Sequence, residues 1–281
     1  MPELPEVEAV RRELAPAMRG ARFRRVIVRR AGLRTLFPDR FAARLRGRTV
    51  RGLVRRGKYL LADLSSGETL LMHLGMSGSF QVDHPAPGRV SIGVAKDVGD
   101  AHDHVVFQMS SGATITFNDP RRFGVMDLVP SAALDQHAAL GAMGPEPLSR
   151  DFEPQALARV CAGRRAPIKV ALLDQRVVAG LGNIYVSEAL HLAHLSPRRP
   201  ASRMARPSGT PRESAVQLVR AIKTTLERAI ERQQNPRYRS ARFRVYDREG
   251  QPCVTTGCDG AIKRITQAGR STFYCPVCQT G

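Results

Sequence analysis

The apolar positions near the start of the chain recur at helical spacing. Val7, Val10 and Leu14 lie three and four residues apart, so they share one face of a helix. This pattern predicts an amphipathic helix over residues 5–19, and Gly20 suits its end because glycine commonly stops helices.

Downstream of this helix, apolar and polar residues alternate in short runs, as they do in half-buried strands. Turn sequences such as SSGE at 65–68 and SSGA at 110–113 separate the runs. Residues 83–103 lack the alternation and are expected to form a solvated loop. The predicted strands cover residues 23–30, 49–55, 58–64, 68–74, 78–82, 104–109, 113–117 and 124–129. Many short strands with frequent turns are typical of an antiparallel β-sandwich, against which the helix can pack.

The pattern changes near residue 130, where alanine, glycine and proline over residues 131–147 indicate a hinge. A loop rich in proline and arginine is expected over residues 196–210, and short strands return from about residue 243. Helical spacing occurs at about 153–162, 167–174, 183–193 and 211–233. We therefore expect an α+β chain made of an N-terminal β-sandwich domain with its helix (1–130), a linker (131–150), a helical domain (151–240) and a small metal module (244–278).

The charge of the chain is strongly positive. Lys and Arg total 44 against 25 Asp and Glu, which gives a formal net charge of +19. Such an excess of cations favours a polyanionic partner, because each neutralised phosphate releases condensed counterions. A generally basic protein is the alternative, and charge alone does not separate DNA from RNA.

The sequence carries no sign of a membrane or secretory destination. No stretch approaches the roughly 20 apolar residues of a membrane span. The opening MPELPEVEAV lacks the basic start and apolar run of a secretory signal. We therefore expect a cytoplasmic protein, acting on the nucleoid of a bacterium-like cell and without a membrane partner.

Four of the five cysteines lie near the end of the chain. Four residues separate Cys253 from Cys258, two separate Cys275 from Cys278, and the sixteen residues between the pairs fit a β-hairpin. Paired thiolates on two tight turns can close a tetrahedron around zinc. The spacing favours one structural Zn²⁺ ion with no open coordination position, over redox thiols or another metal.

The residues at the amino terminus can supply a nucleophile. Pro2 follows the initiator Met, which is normally removed before so small a residue, and its removal exposes a secondary amine. An α-amine has a pKa of about 7.7–8.0 against about 10.4 for lysine, so far more of it is neutral at pH 7. Glu3 and Glu6 follow at once and offer carboxyl groups for proton transfer. Taken alone, these residues also fit a plain helix start, where carboxylates are favoured.

Six segments carry a more specific signal when they are taken together. They are PELPEVE (2–8), RRGKYL (55–60), HLGMSGSF (73–80), FNDPRRFG (117–124), GLGNIYVSEAL (180–190) and FYCPVC (273–278). In this order they resemble formamidopyrimidine-DNA glycosylase over residues 2–278. The resemblance implies a monomer of base-excision repair that removes oxidised purines (8-oxoguanine and formamidopyrimidines) from damaged double-stranded DNA and cuts the abasic site, without an organic cofactor. It also implies that the helical domain is a helix-two-turns-helix domain and the metal module a zinc finger.

The resemblance assigns roles in the chemistry to individual residues. Pro2 matches the Schiff-base nucleophile, and Glu3 matches the general acid that assists base loss and ring opening. Glu6 matches a second carboxylate that supports the site. Lys58 matches the lysine that donates a proton in β-elimination. Arg270 matches the arginine linked to δ-elimination, where clamping a phosphate suits a group that stays charged.

Other positions match family residues that hold DNA. Met76, Arg121 and Phe123 match the trio that fills the gap left by an extruded nucleotide, with Arg121 paired to the orphaned base. Burial in the core is the alternative for Met76 and Phe123, but the glycine-rich turns beside them favour loop tips. The remaining matched DNA-binding positions are His102, Arg164, Lys169 and Asn183.

Two departures from the family pattern bear on the interpretation. The first zinc pair is C-x4-C where many relatives have C-x2-C, and this spacing still permits a tetrahedral site. The stretch QNPRYRSARF (234–243) is shorter than the Gly-rich loop of purine-specialised members and closer to endonuclease VIII-like relatives, which prefer oxidised pyrimidines. The opening motif PELPEVE instead favours the family members that remove oxidised purines.

An alternative from another class of function is a non-catalytic DNA-binding protein that uses zinc and the helical motif.

Overall fold

The computed structural model describes residues 2–84, 89–93, 100–234 and 243–280. The chain divides into two compact units, Met1–Gly141 and Ala142–Gly281. The division falls inside the segment 131–150 that the sequence predicts as a linker. Among the described residues, no helix combines the length and the apolar character that crossing a membrane requires.

The first unit begins with a helix, and its strands follow in the order that the alternating pattern predicts. A short helix that the sequence analysis did not predict, Phe41–Leu45, lies between the first two strands. The elements are α1 (Leu4–Met18), β1 (Phe23–Val28), α2 (Phe41–Leu45), β2 (Val50–Arg56), β3 (Tyr59–Leu64), β4 (Glu68–His73), β5 (Ser79–Asp83), β6 (Arg89–Gly93), β7 (Asp103–Met109), β8 (Thr114–Asn118) and β9 (Val125–Pro130).

The strands of the first unit form two antiparallel sheets. One sheet has the order β1-β7-β8-β5-β6 and the other has the order β2-β3-β4-β9. The predicted sandwich, and with it the α+β fold class, is confirmed. The expected loop over 83–103 is wrong in part, because β6 pairs with β5 inside it. Val90 and Ile92 alternate with polar residues there, but a run of five residues is too short to stand out from its surroundings.

A single apolar core joins the two sheets and the first helix. The apolar face of α1, with Val7, Val10 and Leu14, belongs to the same buried cluster as residues from both sheets. Two aromatic pairs lie in this cluster. The ring centroids are 5.3 Å apart in Phe23–Phe107 and 5.0 Å apart in Phe80–Phe117. The packing fixes the direction of α1 and therefore the place where the chain begins.

The second unit is mainly helical and ends in a β-hairpin. Its helix α5 packs against both α6 and the last strand, so the hairpin is part of the same compact unit. The elements are α3 (Pro154–Cys161), α4 (Ile168–Leu173), α5 (Asn183–Leu192), α6 (Glu213–Gln234), β10 (Lys263–Gln267) and β11 (Arg270–Tyr274).

The central position of Phe107 predicts a large effect of its truncation. Phe107→Ala should lower the free energy of unfolding by about 3–5 kcal/mol, because it removes a fully buried ring and leaves a cavity. Val54→Ala, at a residue that is 58% exposed, should change it by less than about 0.5 kcal/mol. The chain has no tryptophan, so urea unfolding followed by far-UV circular dichroism is the measurement. Equal losses in the two variants would contradict this description of the core.

Candidate active site and nucleic-acid interface

The amino-terminal candidate residues lie at the start of α1. Pro2 is buried, and Glu3 is 2% exposed. The backbone N–H of Glu3 donates to the carboxylate of Glu6 at 2.9 Å, and the carbonyl of Glu3 accepts from the N–H of Val7 at 3.0 Å. Glu6 therefore holds Glu3 at the start of the helix, next to the residue whose nitrogen is the candidate nucleophile.

Lys58 lies at the tip of a hairpin. Strands β2 and β3 pair up to Arg56 and Tyr59, which leaves Gly57 and Lys58 as a two-residue turn. Gly57 has a φ of 57°, as the first central position of a type II′ turn requires. The strand that was expected to begin at residue 58 thus begins one residue later. Helix α1 packs against both strands of this hairpin.

A histidine that the sequence analysis did not single out lies beside this turn. His73 pairs with Tyr59 across β3 and β4, and the two ring centroids are 4.7 Å apart. Burial, followed by the charges of Lys58 and Arg34, lowers the pKa of His73 to about 4, so the ring is neutral at pH 7. Its Nδ1 accepts from the N–H of Gly75 at 3.0 Å, which leaves Nε2 as a donor. The sequence feature that could have identified His73 is its position at the start of the motif HLGMSGSF.

The three candidate gap-filling residues are accessible. Met76 and Phe123 are 39% and 42% exposed, which places both outside the apolar core. Arg121 is also exposed, and its guanidinium carbon lies 4.6 Å from the centroid of the Phe123 ring. The contact joins a cation to an aromatic face, so these two side chains form one projecting group.

Asp119, a second residue that the sequence analysis missed, joins the loops that carry the trio. Its side chain is fully buried and accepts from the hydroxyl of Ser77 at 2.5 Å and from the N–H of Gly124 at 2.8 Å. Its own N–H donates to the carbonyl of His102 at 3.0 Å. A Cβ at Gly75 would lie 2.3 Å from the carbonyl carbon of Phe123, so only glycine permits this close approach of the two loops.

In the second unit, two candidate residues contact the hairpin. The Nδ2 group of Asn183, at the start of α5, donates to the carbonyl of Ser271 at 2.9 Å. Lys169 is fully buried, and its Nζ donates to the same carbonyl at 3.3 Å. Ser271 follows Arg270, which is exposed at the start of β11. The structure thus brings Lys169 and Asn183 to the backbone of the residue that follows Arg270, with Lys169 directed at the hairpin.

Arg164 occupies a different place in the second unit. Its Nε donates to the carbonyl of Val160 at 2.8 Å, and its Nη1 lies 3.4 Å from a carboxylate oxygen of Asp174. Asp174 also accepts from Arg176 at 2.9 Å. Arg164 is half-buried, so part of its guanidinium remains accessible to a phosphate.

A buried carboxylate fixes the chain that leads into the finger. Glu188 on α5 is 5% exposed and accepts from the backbone N–H groups of Arg244, Val245 and Tyr246 at 2.8, 2.9 and 2.9 Å. Three N–H donors satisfy a carboxylate well, which offsets the cost of its burial. Sequence reasoning did not find this role, because the donors lie more than fifty residues away.

The four cysteines form a compact cluster. All their sulfur atoms lie within 4.8 Å of one another. The Sγ–Sγ distances are 3.7 Å for Cys253–Cys278 and 3.6 Å for Cys258–Cys275. Zn–S bonds of about 2.3 Å in a tetrahedron place sulfurs at roughly 3.8 Å, so the cluster fits zinc. The backbone of Gly260 approaches the cluster so closely that a Cβ atom there would lie 2.7 Å from the Cys275 sulfur, so a larger residue would not fit at this position.

Hydrogen bonds prepare one of these thiols for ionisation. Burial opposes the charge on Cys253, but hydrogen bonds from the hydroxyl and the N–H of Thr255 outweigh it and lower the pKa of Cys253 to about 7. His191 lies nearby, with its Nε2 atom 3.4 Å from the same sulfur. The four clustered sulfur donors, rather than the ionisation of any one thiol, suit a metal that binds thiolates.

Comparison with known families covers nearly the whole chain. The formamidopyrimidine-DNA glycosylase N-terminal domain matches residues 1–126, its H2TH domain matches residues 143–239, and the zinc finger found in FPG and IleRS matches residues 250–281. The formamidopyrimidine-DNA glycosylase of Rhodopseudomonas palustris (strain BisA53) is 56% identical over 294 residues, which cover 99% of this chain and 100% of the relative.

Solved structures agree with this result. MutM in complex with DNA that contains carbocyclic 8-oxo-G superposes with a TM-score of 0.82 at 30% identity. Wild-type Lactococcus lactis Fpg in complex with DNA that contains an oxidised pyrimidine superposes with a TM-score of 0.83 at 30% identity. Both alignments cover 100% of this chain and of the matched chain.

The fold, the finger and the amino-terminal site define a DNA glycosylase of base-excision repair. The chain belongs to the formamidopyrimidine-DNA glycosylase family, whose members are both glycosylases and AP lyases. The predicted structural zinc ion is confirmed by the finger match together with the cysteine cluster.

The cluster predicts the metal content of the purified protein. We expect one zinc per chain, and Cys275→Ser should reduce this to well below one because a tetrahedral site loses one of its four thiolates. Cys161→Ala is the matched control, since Cys161 is equally buried but lies in α3, outside the cluster. Inductively coupled plasma mass spectrometry gives the stoichiometry. Full zinc in Cys275→Ser, or loss of zinc in Cys161→Ala, would contradict the assignment.

Proposed function

We propose that this chain excises an oxidised base from duplex DNA and then cleaves the strand at the abasic site, with the Pro2 nitrogen as nucleophile. The observation that carries the proposal is the position of Pro2, buried beside Glu3 immediately before α1, in the domain that matches the family. The proposal requires removal of Met1, which frees the nitrogen.

The steps follow from the chemistry of a secondary amine. The Pro2 nitrogen bonds to C1′ as the bond from C1′ to the base breaks, while Glu3 supplies a proton that assists base loss and ring opening. The iminium that results makes the C2′ proton acidic. Loss of the C2′ proton expels the 3′ phosphate in the first (β) elimination. A second (δ) elimination then expels the 5′ phosphate. Lys58 donates a proton in the first elimination, and Arg270 clamps a phosphate in the second.

The DNA contacts of the proposal involve both units. Met76, Arg121 and Phe123 fill the space of the extruded nucleotide, whose extrusion costs a few kcal/mol. Their exposure and the cation–aromatic contact between Arg121 and Phe123 support this role. The net charge of +19 supports a polyanionic partner. The phosphate contacts in the proposal are His102, Arg164, Asn183 and Lys169, although the burial of Lys169 favours a supporting role for it.

Oxidised purines are the proposed substrates, and the relatives' names support this choice. The two superposed structures hold 8-oxo-G in one case and an oxidised pyrimidine in the other, so structural similarity alone favours neither lesion. The short stretch 234–243, which motivated the pyrimidine alternative, lies almost entirely outside the described residues. Family membership argues against the non-catalytic alternative. We also propose that the protein is a monomer and acts in the cytoplasm.

Borohydride trapping on abasic duplex DNA tests the nucleophile. The parent protein should give a covalent adduct, since borohydride reduces the iminium to a stable amine. Pro2→Gly should form the adduct more slowly than the parent, because a primary amine, whose imine borohydride also reduces, replaces the secondary amine. Pro16→Ala, at an exposed position in the last turn of the same helix, should trap like the parent. Mass determination of the amino terminus accompanies the assay, and trapping as fast as the parent by Pro2→Gly, or rapid trapping by a chain that retains Met1, would refute the role of Pro2.

The substrate class predicts a measurable preference. On duplexes that contain 8-oxoguanine or dihydrouracil, kcat/KM should be at least about tenfold higher for 8-oxoguanine, which corresponds to about 1.4 kcal/mol of transition-state stabilisation. Single-lesion duplexes of otherwise identical sequence provide the comparison. A preference for dihydrouracil would support the endonuclease VIII-like alternative instead.

A further inference from the structure

A buried carboxylate on α1 binds three guanidinium groups. Glu8 is 9% exposed. Its Oε1 accepts from Arg11 Nη2 at 2.8 Å and from Arg12 Nε at 2.7 Å, and its Oε2 accepts from Arg55 Nε at 3.4 Å. Burial opposes the charge, but the hydrogen bonds from Arg11 and Arg12 and the charges of Arg11 and Arg55 lower the pKa of Glu8. The carboxylate is therefore ionised at pH 7.

One of these contacts leads away from the helix. Arg55 lies on β2, and its side chain is 12% exposed. Its Nη1 donates to the carbonyl of Gly57 at 3.0 Å. This carbonyl belongs to the peptide that joins Gly57 to Lys58, at the tip of the β2–β3 hairpin. A continuous polar path therefore runs from the helix that begins beside Pro2 to the turn that carries Lys58.

The turn needs such a restraint. Glycine is the residue with the greatest backbone freedom, and Gly57 occupies the left-handed region with a φ of 57°. Rotation of the Gly57–Lys58 peptide moves the Lys58 side chain directly. Because a misplacement of about 1 Å can cost on the order of 100-fold in rate, a fixed peptide matters for a group that delivers a proton.

We propose that Glu8 is a positioning residue, which acts through Arg55 and the Gly57 carbonyl to hold Lys58 in place for strand cleavage. The inference rests on the proposed function, in which Lys58 donates a proton during β-elimination. Arg11 and Arg12 lie on α1 itself at three and four residues from Glu8 and stabilise the helix, and Arg11 also donates to the carbonyl of Leu53 on β2 at 3.5 Å. Arg55 is the partner of Glu8 that contacts the turn itself, so it transmits the position of α1 to Lys58.

A structural role and a positioning role of Glu8 make different predictions. If Glu8 only stabilised the fold, its removal would lower base release and strand cleavage alike. If it positions Lys58, cleavage of a preformed abasic site should fall much further than base release, which depends on Pro2 and Glu3. The ratio of the two single-turnover rates therefore separates the roles, provided that far-UV circular dichroism shows a folded protein.

The variants are Glu8→Gln and Arg55→Met in the full chain. Both should slow cleavage of abasic duplex about tenfold or more, while release of 8-oxoguanine stays within about threefold of the parent. Arg55→Met leaves Glu8 its helical partners, so it tests the link even if Glu8→Gln fails to fold. Glu13→Gln is the matched control, because it makes the same chemical change on the exposed face of α1 and should alter neither rate.

A double-mutant cycle with Lys58→Ala shows whether the effect passes through Lys58. In that background, Glu8→Gln and Arg55→Met should cause no further slowing of cleavage, since the group to be positioned is gone. The same slowing with and without Lys58, an equal fall of both activities, or a Lys58→Ala variant that cleaves normally would overturn the inference. Failure of the parent to form a trapped adduct would instead refute the proposed function, so the two failures are distinguishable.

Discussion

The burial of the apolar face of α1 against the sandwich is the interaction on which the rest of the site depends. Chain termini are normally among the least ordered parts of a domain. Here the residues next to the terminus are buried, because Leu4 and Val7 are almost fully enclosed only a few residues further on. In the proposed function, a Pro2 amine freed by removal of Met1 can thus serve as a fixed chemical group. The same packing sets the distance between the start of the helix and the β2–β3 hairpin.

Buried carboxylates organise loops in a chain whose surface charge is strongly positive. Asp119 links the two loops that present Met76 and Phe123, and Glu188 fixes the segment that enters the finger. Each satisfies backbone N–H groups that loops leave without partners, so each converts a flexible segment into a defined one. Cations remain available at the surface for phosphates, while anions inside determine where loops lie.

The sequence predicted features that depend on neighbours along the chain. The helix over 5–19, the alternating strands and the spacing of the zinc cysteines are such local patterns, and the structure shows each of them. It could not predict that Glu8 contacts Arg55, Asp119 contacts Ser77, or Glu188 contacts the segment 244–246, because these partners lie at distant positions that only the fold brings together. The burial of Lys169 was hidden for the same reason, since a lysine in a helix is most often exposed.

The finger shows why a metal and the helical part of its unit are both needed to place Arg270. Its own apolar cluster consists of little more than Val245, Ile262 and Phe273 beside the zinc cysteines, too small a core to define a hairpin alone. Zinc closes one end of the hairpin. At the other end, Asn183 and Lys169 share the carbonyl of Ser271, the residue next to Arg270. The buried side chain of Lys169 therefore helps to fix the backbone next to Arg270, and the position of Arg270 follows from two independent attachments, the zinc site and the helical part of the unit.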